Sequence, residues 1–171
     1  MSFSTLLFLL WPLTLTPGTL NLVELRQQLD QAANSKVKAQ QFNERFKQVT
    51  EGGQPILVGF KALSELILCK HVFSPISKLA HFRKGRNLLE KAIAASPNNP
   101  ELSFLRFTTQ SNVPSLLNYS GNIMQDKSVL INYLRSTTSK AADPDLYQRV
   151  KSYLQESKFC TAGEVKLIKS L

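Results

Sequence analysis

The stretch "ILVGFKALSELILCKHV", residues 56–72, decides the fold. Its apolar side chains, Ile56, Leu57, Val58, Phe60, Leu63, Leu66, Ile67 and Leu68, outnumber Lys61, Ser64 and Glu65 and cover most of a helical circumference. A helix apolar nearly all round must be covered on several sides, so this segment is expected at the centre of a bundle. "TEGGQP" at 50–55 ends the helix before it, because paired glycines and a proline cannot sustain helix. "FSPISK" at 73–78 turns the chain into a fourth helix through Ala95, with Leu79, Phe82, Leu89 and Ile93 inward and Lys84 and Lys91 outward.

Helical periodicity continues in both directions. Between Leu20 and Ala33 the stripe is Leu22, Leu25, Leu29 and Ala32, with Arg26, Gln27, Gln28 and Asp30 on the opposite face. Ser35 is suited to cap a second helix through Gln48, striped by Val37, Gln41, Phe42, Phe46 and Val49. "SPNNPE" at 96–101 closes the fourth helix and opens a fifth. Beyond "NVPS" a further helix runs to Leu134 and is shortened near Gly121. Asp143 caps the next helix, with Pro144 at the first position, where its missing N–H costs nothing. Thr161 and Glu164 have the spacing of a capping box for the last helix. With no alternating strand, the reading is all-α, about seven helices in antiparallel hairpins forming an irregular bundle.

A chain of 171 residues with 43% hydrophobic content supports one domain with its own core, placed at residues 19–171. Residues 1–18, "MSFSTLLFLLWPLTLTPG", carry no charge, hold an apolar run from Leu6 to Leu15, and end on Thr16 and Gly18 at cleavage-site spacing. They read as a signal peptide, which places the protein in the periplasm or outside the cell; an uncleaved leader would instead attach it to a membrane. Cys69 and Cys160 are too few for a disulfide framework, so either a pair or two buried thiols is expected. Of the net charge of +9, most lies in residues 36–91, which hold eleven basic and four acidic side chains. Such a face raises the local concentration of anions, or simply keeps the domain soluble.

Residues 85–97 carry a repeat signal. Gly85, Leu89, Ala92 and Pro97 reproduce the small, large, Ala, Pro spacing of the second half of a tetratricopeptide repeat. Small residues let two helices approach, and the proline stops the second. Phe73 stands where the first half uses a small residue, and a shift of 34 residues lands on Tyr119, Ile123, Asp126 and Ile131. One hairpin of this kind is supported, and a regular array is not.

Residues 59–130 carry a wider likeness. Its elements are Pro75 with Lys78, the helix from Leu89 to Ile93 followed by Pro97 and Asn99, "FLRF" at 104–107, Pro114 with Leu117 and Tyr119, and Asp126 with Lys127. In these the chain resembles an uncharacterised bacterial family of exported, tetratricopeptide-like helical proteins. Ser74 stands where that family has Asn, and Asn118 where it has Gly. The resemblance implies fold and export; it implies no activity.

Arg106 is the most pointed site candidate, a permanent charge among Leu102, Phe104, Leu105 and Phe107. A buried guanidinium needs an anion or several carbonyl oxygens. The expected partners are Asp126 or the carbonyls of the turn at 112–120, which would lock that turn onto the fifth helix; an external anionic ligand is the rival reading. Gln110, Tyr119 and Lys78 complete the candidate set.

No catalytic constellation is visible. Cys69 and His71 point to different sides of a helix, so neither a metal nor any other cofactor is expected. No serine has the glycine pattern of a nucleophile elbow, and "EGGQP" lacks the Lys and Ser or Thr of a phosphate loop. The leading expectation is an exported module that binds a protein or peptide partner, for which an apolar groove would be the sign and a closed bundle the counter-sign. The alternative is a basic module on an anionic surface, nucleic acid or lipid head groups. Nucleic acid is disfavoured because Leu79, Phe82, Leu88 and Leu89 are spaced as core rather than as stacking platforms, and membrane-surface contact stays open. A cell-envelope hydrolase, resting on export alone, is the third.

Overall fold

Helix starts follow local chemistry at almost every element of the computed structural model, which describes residues 20–171. The leader reading of residues 1–18 lies outside the described residues. Asn21 caps α1 (Leu22–Asn34), Ser35 caps α2 (Lys36–Arg45), and Ser74 caps α4 (Pro75–Ala95). Asn99 caps α5 (Pro100–Asn112), and Asp143 caps α8 (Pro144–Glu156). The helices α3 (Pro55–His71), α4, α5 and α8 all begin on proline, where the absent N–H is one of the orphan donors anyway. The capping box of Thr161 and Glu164 starts α9 (Ala162–Ser170) with both of its reciprocal bonds formed.

Between α5 and α8 the chain makes a 3₁₀ turn at Ser115–Leu117, then α6 (Ile123–Arg135) and the single-turn α7 (Ser139–Ala142). The fold is all-α. The described residues contain nine α-helices and no strand, against the about seven helices expected, and α7 is one that periodicity cannot reveal in four residues. Asn118 takes the left-handed conformation, φ 44°, that closes the 3₁₀ turn, one that Asn tolerates better than most residues.

Three apolar clusters share helices. Leu25, Ala32, Phe42, Phe46 and Phe60 join α1, α2 and α3; Val58, Leu89, Leu102 and Leu105 join α3, α4 and α5; Phe107, Leu130, Val150, Leu154 and Ile168 join α5, α6, α8 and α9. The apolar α3 thus serves two clusters at once, which is why it is apolar around so much of its surface.

Close approach depends on two glycines. A Cβ on Gly85 would stand 2.6 Å from Leu66 Cγ and 2.8 Å from the Ala62 carbonyl oxygen, and one on Gly59 would stand 2.4 Å from Leu102 Cδ2. Gly85, Leu89 and Ala92 therefore line the α3–α4 contact, while Pro97 lies exposed just beyond the end of α4.

Several positions depart from the periodic reading. The second helix ends at Arg45 rather than Gln48, and Phe46 to Gln48 form a turn. Its buried stripe is Ala39, Phe42 and Phe46, which leaves Val37 61% exposed and Gln41 on the surface. Leu79, read as inward, is 39% exposed. The largest departure is Arg26, assigned to the polar face of α1 but 2% exposed.

Candidate functional site

The "FLRF" segment carries Arg106 into the interior, where it is 4% exposed. Its Nε and Nη2 each donate to one oxygen of Asp126 at 2.8 Å, and Nη1 donates to Glu90 Oε2 at 2.7 Å. The planar fork meets the carboxylate of Asp126 through two parallel bonds, the strong geometry for such a pair. Burial alone would push the Arg106 pKa down; the bonds to Asp126 and Glu90 hold it above its ordinary value. Tyr119 donates its hydroxyl to the second oxygen of Glu90 at 2.7 Å, packs edge-on against Phe82, and lies under the Arg86 guanidinium at 5.0 Å. Gln110 exchanges two bonds with Asn122, donating to its Oδ1 and accepting from its backbone N–H.

Arg106, Asp126, Gln110 and Tyr119 thus gather around the junction of α4, α5, the 3₁₀ turn and α6. Lys78 does not join them: it lies exposed in the first turn of α4, where its carbonyl accepts from the Cys69 thiol. The guanidinium faces two carboxylates, so this junction carries no surplus positive charge with which to hold an external anion.

Three further polar hubs have no counterpart in the sequence reading. Arg26 donates to both oxygens of Glu101 on α5, to Asp143 at the cap of α8, and to Asp145 in its first turn at 2.9 Å. Arg149 continues the network from Asp145 to Asp30, returning from α8 to α1. Burial is the main force raising the Glu101 pKa, helped by Asp143 and Asp145 and opposed by Arg26.

In the second hub, Glu65 is 3% exposed on α3 and accepts from Lys84, His81 and Asn43. In the third, Lys127, also 3% exposed, donates to the Phe159 carbonyl and to Glu164. The signal in each case is weak. Only an acid embedded in an apolar run, as Glu65 is in "SELIL", could have flagged burial.

Cys69 and Cys160 are free, and burial is the main cause pushing the Cys69 thiol up to about 11, away from the thiolate that a nucleophile needs. Among the described residues no group of three or more His, Cys, Asp or Glu side chains could hold a metal ion. Two adjacent depressions, of about 650 and 260 Å³, border α1 and α2 and are lined by Asp30, Gln31, Lys38 and Arg45 with other mostly polar side chains. No protein-family model, curated protein or solved structure matches the chain.

A different surface carries lysines without ion-pair partners among the described residues. His71 Nε2 lies 3.1 Å from the Ala32 carbonyl oxygen, and Lys36 Nζ lies 5.7 Å from the Phe73 ring centre, so the α1–α2 and α3–α4 turns meet at one end. Residues 31–43 and 66–89, which flank these turns, hold two and five basic side chains and no acidic one. Lys36, Lys38, Lys70 and Lys78 are exposed there and enter no ion pair among the described residues.

Proposed function

We propose that the protein is an exported, non-catalytic helical module that docks one end of its bundle onto an anionic partner. The observation that carries this is the basic end: four exposed, unpaired lysines around two adjoining turns, with acidic residues missing from both flanking stretches. Elsewhere the charged side chains inside the fold are matched by internal partners, which favours a rigid scaffold over a site awaiting a substrate.

A peptide-binding groove, the first expectation for helical hairpins, has less support. Arg26 and Arg149 tie α1 to α8 across the bundle, and the residues lining the depressions that border α1 and α2 are of polar type apart from Phe42, with no row of apolar side chains to seat a peptide. The uncharged leader of residues 1–18 and the resemblance to exported tetratricopeptide-like proteins support action outside the cytoplasm. Among the described residues no helix is long and apolar enough to cross a membrane.

The test is retention of the full chain on a sulfated polymer resin, compared with a variant carrying K36E, K38E, K70E and K78E. The expected result is elution of the parent at markedly higher salt, since each phosphate- or sulfate-type contact releases counterions. Equal elution of the two proteins would overturn the reading.

A further inference from the structure

Between the unpaired lysines stand two side chains that a basic surface for soluble anions does not require. Phe73 is 92% exposed and Ile76 is 83% exposed, both at the tip of the α3–α4 turn, in the sequence "FSPI". An aromatic ring and a branched aliphatic chain so fully in water are costly, and apolar side chains projecting together on a protein surface mark a contact. Their setting adds the second half of the argument. Lys36 reaches over the Phe73 ring from α2, while Lys70 and Lys78 flank the tip along the chain; Lys38, two residues further into α2, faces the α1–α2 depression beside Asp30.

We propose that this tip is a membrane-docking device: Phe73 and Ile76 enter the headgroup and acyl boundary of an anionic lipid bilayer, and Lys36, Lys70 and Lys78 bind its lipid phosphates. Ser74 and Pro75 suit the geometry. Ser74 caps α4 and Pro75 occupies its first position, so the two apolar side chains are presented from a fixed helix start rather than a loose loop. Long lysine side chains match an interface in which apolar atoms go down and ammonium groups stay at phosphate level. Charge complementarity selects this occupant over the apolar leader of residues 1–18, which has no charge to offer the lysines. It also selects a bilayer over a soluble polyanion, which offers nothing to Phe73 and Ile76. The inference rests on the anionic-partner reading and specifies the partner.

The experiment is co-sedimentation of the full chain with vesicles of neutral phosphatidylcholine and of phosphatidylcholine mixed with phosphatidylglycerol. Three proteins are compared: the parent, F73D/I76D, and the variant with all four lysines reversed. Both sets of substitutions lie on the surface, so circular dichroism melting should be unchanged and serves as the folding check.

The parent should bind anionic vesicles and not neutral ones, and either variant should bind at least about tenfold more weakly: F73D/I76D because two apolar side chains no longer leave water and two carboxylates face the anionic lipid, the lysine variant because its phosphate contacts are lost. If F73D/I76D binds as the parent does while lysine reversal releases the protein, the bilayer inference falls and the anionic-partner reading stands. If lysine reversal also changes nothing, on vesicles and on the sulfated resin alike, both fall. Equal binding of all three proteins to neutral and anionic vesicles would assign the contact to the leader and overturn the proposal.

Discussion

Two buried guanidiniums hold this fold together at different ranges. Arg106 on α5 pairs with Asp126 and Glu90, side chains twenty and sixteen residues away on the next and preceding helices. Arg26 on α1 pairs with Glu101, Asp143 and Asp145, the last two 117 and 119 residues away. The first pins neighbours that would pack together anyway. The second joins the start of the described bundle to a helix near its end, and α1 and α8 share no apolar cluster. The two also differ in charge: Arg106 faces one fully buried carboxylate and a half-exposed one, whereas Arg26 is shared by three. Range and sharing make Arg26 the more consequential of the two.

Replacing Arg26 with Met tests that ranking most severely. It leaves Glu101 buried without its partner and Asp143 and Asp145 beside it. The expected loss is about 5 kcal/mol, the upper end for breaking a buried pair, read by urea unfolding. Adding Glu101→Gln in the same chain should recover part of the loss by removing the stranded charge. Hydrogen exchange should quicken in α1 and α8 together, and quickening confined to α1 would break the claim that the hub spans the bundle.

Arg106→Met is expected to cost about 3 kcal/mol, because Glu90 is half-exposed and water can take over its charge, leaving only Asp126 stranded. Exchange should quicken around the 3₁₀ turn and the start of α6 and not in α1. A loss equal to that of Arg26→Met would erase the distinction between local and long-range hubs.

The same contrast explains what could be read beforehand. Arg106 announced itself because Leu102, Leu105 and Phe107 are core residues, so a charge among them had to be matched, and its acid lay in the next helix. Arg26 is followed by Gln27 and Gln28 and lies off the Leu22, Leu25, Leu29 stripe, a setting that on periodicity alone describes a wet face. Its burial depends on where α8 arrives, which is tertiary information that no local pattern carries. The caps at Ser35, Asp143 and Thr161 were legible because each acts on backbone within three residues. The meeting of the two basic turns was not, since it depends on how the α1–α2 and α3–α4 hairpins align.

Packing offers a third measure against which to set the hubs. Gly85→Ala forces a methyl group against the Ala62 carbonyl, a backbone atom that cannot swing away as the Leu66 side chain can. Overpacking of this kind costs about 1 to 3 kcal/mol, and the better helix propensity of Ala returns up to about 1. A net loss of about 1 to 2 kcal/mol in urea unfolding is expected, smaller than either arginine substitution. A gain in stability would show that α3 and α4 can separate, and would shift weight from packing to the ionic contacts.

The finest distinction is in acid, where two buried carboxylates should act with opposite signs. Glu65 has three donors to itself: burial pushes its pKa up, but Lys84, His81 and Asn43 together bring it below the ordinary value. Its folded form therefore binds fewer protons than the unfolded chain between the two pKa values. Its contribution is complete above the unfolded carboxylate pKa of about 4.3 and is lost as pH falls through the lower folded value. Glu101 must share Arg26 with two other acids, and burial leaves it above the ordinary value. For Glu101 the folded form binds more protons, so stability declines as pH rises from about 4.3 through the raised folded value. Glu65→Gln should flatten the acid limb of a stability profile below about pH 4.3, and Glu101→Gln should flatten an opposing slope above it. If both substitutions changed the profile in the same direction, the number of donors each carboxylate has to itself would not be what separates Glu101 from Glu65.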